Sequence, residues 1–546
     1  MVSEKKTRSL EETVNSRFLK LYLLLAALAT IMLPVPSTAQ EQQGGTAEKP
    51  RYKLFDLGTF GGPESFINPS VNGGPDISRR GTVVGASATS TPTSRHSNTV
   101  GVCGGLDGTV PFVFHAFKWD DGDMTDLGAL PPTVTNCSNA QAVNARGEIV
   151  GNSENGVIDP VTGINEFRAV IWKGDGIEEL GTFGGNVSQT TQINELGQAA
   201  GFAQNTIPDP FSIYYFQFFQ SSGGTQTRAF LWEKGHMQDL GTLGGPDASA
   251  IFVNNRGQVA GASYTNSTPN ATTTIPTEDP FLWDNGRMID LGSLGGTLGF
   301  PNALNNRGQV VGQSNLAGDQ PGNFDPFLWD GEKLIDLFTT SVGGNPLTAN
   351  AINDAGEIVG TALFPNQTAP HAYLWKDGVA KDLGTVNGDC FSEAFAINSR
   401  GQVVGQSFSC VTLIGRTFLW DNGNMIDLNA FVPPGSGLQL VEAVAINDHG
   451  EIAGDLVPPD CGGGIVPTQG NDAQCGHAFV LIPCDDEVAG SSDGCRDGAQ
   501  VVEDSTSARP SGLAATQTSL TPTQIRDRVR AFLAKRNRRF GTLSPR

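Results

Sequence analysis

The chain has 546 residues, with 35 basic and 56 acidic side chains and a formal net charge of −21. That charge excludes a nucleic-acid binder working by general phosphate attraction. Its 69 glycines follow no three-residue period and are too many for helices, so collagen and helical bundles are excluded too. What remains is a turn-rich all-β protein, long enough to bury a large core.

Lys5, Lys6, Arg8, Arg17 and Lys20 precede an apolar run of 13 residues, Leu21 to Leu33, and then Pro34, Pro36, Ser37 and Ala39. A spanning helix needs about 20 apolar residues. The pattern therefore predicts a signal peptide over 1–39, cleaved after Ala39, with an uncleaved anchor as the alternative. Export follows, to a secreted, periplasmic or cell-surface location. Residues 40–53 read as a linker.

From 54 to 484 the chain repeats one unit, marked by Trp119, Trp172, Trp232, Trp283, Trp329, Trp375 and Trp420 at intervals of 45 to 60 residues. Two residues on comes a hairpin dipeptide that tolerates positive φ, as at Asp121-Gly122, Asn285-Gly286, Asp377-Gly378 and Asn422-Gly423. Asn-x-x-Gly then recurs at Asn144, Asn194, Asn254, Asn305, Asn353, Asn398 and Asn447, with Ser78 in the first copy, which is the pattern of a type I turn. Four residues past each of those glycines stands another, such as Gly201 and Gly312, inside a predicted strand, which implies close backbone approach. Each unit thus holds four short strands. The chain opens on an Asp-Leu-Gly strand and closes on a Trp-type strand with Leu481 in the Trp place. Pairing Phe55–Gly58 with Ala478–Ile482 would complete the last unit, so the fold predicted is an eight-bladed β-propeller closed by its terminal strands. An open array is the alternative. The tryptophans read as core between blades.

Eight cysteines fall as chain neighbours: Cys103 with Cys137, Cys390 with Cys410, Cys461 with Cys475, and Cys484 with Cys495. In an exported chain they read as local disulfides, although eight cysteines allow 105 connectivities. Residues 485–520 read as a disordered linker. Residues 521–540 read as a basic amphipathic helix, opened by Thr521-Pro522, with Ile525, Val529, Phe532 and Leu533 on one stripe. Either it docks on the body, which carries −30 once both basic ends are set aside, or it meets a membrane surface or a partner.

His115-Ala-Phe, His371-Ala-Tyr, His477-Ala-Phe and the recurring Asp-Leu-Gly and Asn-x-x-Gly phrases over about 54–483 resemble the bacterial HAF-type probable extracellular repeat family. The resemblance implies an exported bacterial protein and no activity or catalytic residues. The histidine is replaced by Arg168, Arg228, Asp279, Asp325 and Arg416 in the other copies.

Strand parity puts all tight turns on one face and the long connections on the other, so the loop-rich face is the candidate binding face. One insertion there carries Phe211, Tyr214, Tyr215, Phe216, Phe218 and Phe219, either a platform for sugar rings or a partner, or a strand packed on its own blade. An acid stands seven residues after every Trp (Asp126, Glu179, Asp239, Asp290, Asp336, Asp382, Asp427), with Asp56 in the closing copy. They could form a cation-binding annulus, for calcium for example, or each could accept backbone N–H bonds at its own turn; no specific cofactor motif is present. No local catalytic signature stands out. The expected activity is therefore that of a non-enzymatic, monomeric binding or scaffold module for an extracellular protein or glycan, without nucleic acid. The alternative is a carbohydrate-active enzyme with carboxylates at the channel. A site that breaks the symmetry is expected near Trp172 and Trp232, whose copies diverge most (Glu179; Ala199-Ala200).

Overall fold

The computed structural model describes residues 50–67, 76–94, 112–174, 176–214, 223–319, 323–367, 369–409, 415–459, 461, 475–484 and 496–497. The predicted signal peptide, the basic helix over 521–540 and Cys103, Cys410 and Cys495 lie outside them. The described residues are almost wholly β, in antiparallel sheets of mostly four strands. In the Trp232 sheet, for example, Gly184–Ile193, Ala199–Pro208, Thr225–Glu233 and His236–Asp239 follow one another in space as in sequence. The sheets of Trp283 and Trp329 form a single path through the parallel bridge of Glu278 and Leu298.

The hairpins are as predicted. Asp121, Asn285, Asp377 and Asn422 all have φ of 48–49°, each followed by a glycine at positive φ, the two-residue turn whose twist matches the strands it joins. The in-strand glycines are also explained. A Cβ at Gly201 or Gly312 would overlap the carbonyl oxygen of Gln189 or Phe300. The innermost strand bulges at that point, between Thr190 and Gln192 or between Pro301 and Ala303.

Each Asn-x-x-Gly turn is both a turn and a joint. Asn305 Oδ1 accepts from the backbone N–H of Arg307 and Gln309, both at 3.0 Å. Its Nδ2 donates to Gln309 Oε1 at 2.9 Å and to the carbonyl of Asn353, the same residue of the next sheet, at 3.0 Å. The step repeats from Asn144 to Asn194, Asn254, Asn305, Asn353, Asn398 and Asn447, and from Asn447 to the carbonyl of Ser78 in the first sheet, at 2.8–3.1 Å. Ser78 Oγ holds its own turn, accepting from Arg80 and Thr82, but a hydroxyl is too short to replace the amide.

Between sheets lie apolar clusters, and the tryptophans sit in them as predicted. Trp232 packs on Val150 and Ile171 of the preceding sheet, and Trp283 on Ala200 and Leu231. One cluster joins Phe117 and Trp119 of the first sheet to Val444, Ala453 and Val480 near the end of the chain. Val480 belongs to the strand His477–Pro483, which pairs antiparallel with Arg51–Asp56, Phe55 lying opposite Val480 and Asp56 opposite Phe479. That first strand begins inside the stretch read as a linker because Tyr52 is buried against Phe431 and Leu440, and its hydroxyl donates to Gly450 O at 3.2 Å. The second linker is also interrupted, by Arg496–Asp497 pairing beside Arg51–Tyr52. Among the described residues no helix is long and apolar enough to cross a membrane.

The turn joints carry a stability prediction. Asn305→Ala strands two half-buried N–H groups and the buried carbonyl of Asn353, and should lower unfolding free energy by about 2–4 kcal/mol. Asn305→Asp, which keeps both acceptors, should cost clearly less. Ser78→Asn should add about 1 kcal/mol by supplying the missing amide. Guanidinium unfolding curves of the three variants check the order, and equal midpoints for Asn305→Ala and wild type would refute the joint.

Candidate functional site

The eight repeat acids lie at the ends of the outermost strands, toward the long connections. Seven of them accept from the backbone N–H two residues on: Asp56 from Gly58, Asp126 from Gly128, Asp239 from Gly241, Asp290 from Gly292, Asp336 from Phe338, Asp382 from Gly384 and Asp427 from Asn429, at 2.7–3.0 Å. Among the described residues no three His, Cys, Asp or Glu side chains are placed to hold a metal ion, so the structure does not assemble a cation annulus from these acids.

Most of the acids have a second partner across the strand pair, at the position eleven residues earlier. His115 Nδ1 meets Asp126 at 2.9 Å, His371 meets Asp382 at 3.0 Å, and His477 meets Asp56 at 2.8 Å across the two chain ends. Arg168 takes the same place against Glu179, and Arg228 against Asp239, both at 3.0 Å. Arg168 and Arg228 are thus cations doing the same electrostatic work, while Arg416 turns to Asp389. Burial raises the Asp56, Asp126 and Asp382 carboxyls, but the histidine and backbone hydrogen bonds outweigh it and hold all three below the ordinary range. Asp279 and Asp325 stand where other copies place the cation, and Asp279 faces the charge of Asp290.

Departure from the repeat concentrates at the loop-rich edge of the Trp232 and Trp283 sheets. The connection after Pro208 is anchored by two carboxylates. Asp209 Oδ1 accepts from Phe211 N at 2.9 Å, and Asp247 accepts from the N–H groups of Ile213 and Thr227. Asp247 is fully buried beside Asp209, whose Oδ2 is buried without a donor. Burial and the Asp209 charge push the Asp247 carboxyl well above the ordinary range. Tyr264, also fully buried, is pushed up by burial and by the charges of Glu278, Asp247 and Asp209. A second buried acid group lies near the chain ends, where Asp76 and Asp455 are raised chiefly by burial, with Asp455 the charge acting on Asp76 and Glu442 and Glu64 those acting on Asp455.

The aromatic insertion is only partly a surface. Tyr214 is 2% exposed and packs on Phe167 and Phe202. It is core, and its main-chain N–H is tied to Thr227 Oγ1 at 3.3 Å. Phe211 is half-buried on a cluster of Ile213, Tyr264, Ile275 and Leu298. Tyr215, Phe216, Phe218 and Phe219 lie outside the described residues. The divergence near Trp172 and Trp232 is structural as well, since Glu179 pairs with Arg168, and Ala199 and Ala200 are fully buried between sheets. The acids at 64 and 247 went unread in the sequence although a signal was there. They stand two residues after a Gly-Gly pair, where Val187 and Leu298 supply core.

Cys461 and Cys475 form a disulfide as expected, and Cys137, Cys390 and Cys484 are also disulfide-bonded, to partners outside the described residues. No family model and no curated protein matches the chain. Among solved structures it is similar to the β-propeller domain of the trilobed protease from Pyrococcus furiosus, at 11% identity over 58% of this chain and 90% of that one, with a TM-score of 0.34. TolB from Acinetobacter baumannii matches at 10% identity, over 80% of this chain and 97% of that one, with a TM-score of 0.27. An acylaminoacyl peptidase from Pyrococcus horikoshii matches at 12% identity over 64% and 53%, with a TM-score of 0.33. Likeness at this level transfers no residue and no activity.

Asp247 yields a pH prediction. Its carboxyl is held well above the ordinary range in the folded chain and ionises near pH 4 when unfolded, so its contribution is complete below about pH 4 and falls as pH rises. Asp247→Asn removes that dependence. Its stability relative to wild type should therefore improve from pH 4 upward, by at most about 1.4 kcal/mol per pH unit. Parallel stability–pH curves for the two proteins would contradict the assignment.

Proposed function

We propose that the chain is an exported, closed eight-bladed β-propeller that serves as a non-enzymatic binding or scaffold module, with its ligand on the loop-rich face. The observation that carries this is the contrast between the two faces. On one, each Asn-x-x-Gly turn commits its side chain to its own turn and to its neighbour, leaving a uniform surface. On the other stand the insertions, the Cys461–Cys475 disulfide and the departures from the repeat. Variable connections on a rigid frame are where recognition evolves at least structural cost. Closure is supported by the terminal strand pair, by the asparagine chain returning to Ser78 and by the cluster joining Trp119 to Val480.

Export is supported by the basic and apolar N-terminus, by the disulfide and by the resemblance to HAF-type extracellular repeats. The ligand expected is an extracellular protein or glycan, the working form is a monomer, and the basic segment over 521–540 is a secondary contact for an anionic membrane surface or a partner.

The test is a glycan and protein array with product analysis in the same wells. Wild type is compared with a variant whose connection over 209–224 is replaced by the shorter sister connection over 159–164. The sister begins with the same Asp-Pro and closes in the same way, Asp159 N bonding Ile164 O as Asp209 N bonds Gly224 O. Binding without turnover, weakened at least tenfold in a variant of unchanged circular dichroism, is the expected result. Turnover, or undiminished binding, would overturn the reading.

A further inference from the structure

The repeat serves as its own comparison at the position opposite the Asp-Leu-Gly acid. In the Trp232 sheet, Arg228 gives the full pattern. Its Nε and one terminal nitrogen hold the two Asp239 oxygens at 3.0 and 3.2 Å, and the other terminal nitrogen donates to Pro246 O at 3.1 Å. His115 does the same in the Trp119 sheet, pairing with Asp126 through Nδ1 and donating through Nε2 to Thr133 O at 3.0 Å. Pro246 and Thr133 both stand seven residues after the acid. The place is a cation site built from one carboxylate and one main-chain carbonyl. It reaches solvent: the Arg228 and Asp239 side chains are 17% and 41% exposed.

Two adjacent copies put an acid where the cation should be. In the Trp329 sheet the outcome is structural. Asp336 caps a one-turn helix, accepting from Phe338 N, Thr339 N and Thr339 Oγ1, and Asp325 is engaged as well. The Trp283 sheet has no such resolution. Asp279 is 9% exposed, and its Oδ1 is buried with no hydrogen-bond donor. Among the described residues Asp290 keeps only the Gly292 N–H, at 2.8 Å. Thr297, seven residues after Asp290, also has its hydroxyl buried without a partner. A buried carboxylate without a donor is costly, and a like charge facing it adds to the cost. That pressure holds the Asp279 carboxyl up at about 6, through burial and then the Asp290 charge.

We propose that Asp279 and Asp290 bind a guanidinium or ammonium group brought by a ligand, in the place that Arg228 fills in the neighbouring sheet. Planar, multiply donating cations suit the site because Arg228 in the neighbouring sheet is bidentate on the carboxylate with a third bond to the carbonyl. A metal ion suits it less, since no group of three or more metal-ligating side chains forms among the described residues. The assignment rests on the reading that ligands approach the loop-rich face, and it gives that ligand a cationic group.

The test uses the full-length protein and agmatine, which carries both cations, in calorimetric titration at pH 7.5. Saturable millimolar binding is expected in wild type. Asp279→Arg should rebuild the Arg228-type pair, melt no lower than wild type and weaken agmatine binding at least tenfold. Asp279→Asn, nearly isosteric, should weaken it too and guards against misfolding of the arginine variant. Equal binding in wild type and both variants, no binding to wild type, or calcium chloride saturating the pair while agmatine does not would each overturn the proposal. Array binding that persists while agmatine fails would sink this assignment alone. Silence in both would sink the reading of the face with it.

Discussion

The structure depends on what an asparagine does when it is buried at a turn. Its side chain has two acceptor lone pairs and two donors, and each left unmade costs about 1–3 kcal/mol. Asn-x-x-Gly-Gln/Glu settles all of them. The oxygen takes the N–H groups of residues two and four further on, one hydrogen donates to the side chain at the fourth, and the other donates to the next sheet's turn. The glycine is required because the chain passes through positive φ there, 75° at Gly257. A local turn motif thereby becomes a fixed distance between sheets, and the apolar clusters form at the spacing it sets.

That explains why so much of the architecture is legible in the residues and why some of it is not. Period, strand number, hairpin type, the glycines of close approach and the meeting of the chain ends all follow from features repeated seven or eight times. Asn-x-x-Gly reads correctly as a turn. Its reach to the next sheet does not, because one copy of the motif is satisfied as a turn alone and only two copies side by side reveal the second donor. The linker boundary failed at Arg51 for a similar reason. Tyr52 joins the core through Phe431 and Leu440, far away in sequence, and nothing near it in the chain announces that.

The site was less legible because aromatic and acidic residues mean different things at different depths. Six aromatics within ten residues suggest a platform, yet Tyr214 is core, for its main chain is pinned by Thr227 and its ring fills a hollow between Phe167 and Phe202. The acid in every repeat suggests an annulus, yet seven of the eight accept the backbone N–H two residues on and close their own turns. Conversely, Asp247 looks like any loop aspartate until it is set beside Val187 and Leu298, the apolar residues at its place in sister copies. In a repeat protein, a polar residue at a position that is elsewhere core carries more information than a cluster seen in one copy.

The charge of the body follows from the same geometry. Its acids are handled in two ways. At Asp56, Asp126 and Asp382 backbone N–H groups and an opposing histidine outweigh burial and hold the carboxyl below its ordinary range; where acids are enclosed, as at Asp247, Asp76 and Asp455, the loss of water and then the field of a neighbouring carboxylate push it up. Asp279 falls between these cases. Its Oδ1 is buried without a donor, it stands where Arg228 stands in the preceding sheet, and it faces the charge of Asp290. Arg228 of the preceding sheet shows what relieves that imbalance, a guanidinium shared between the acid and a main-chain carbonyl. Among the described residues no positive charge is placed at that point of the Trp283 sheet, and a cationic group on the ligand is the counterpart the proposal assigns to it.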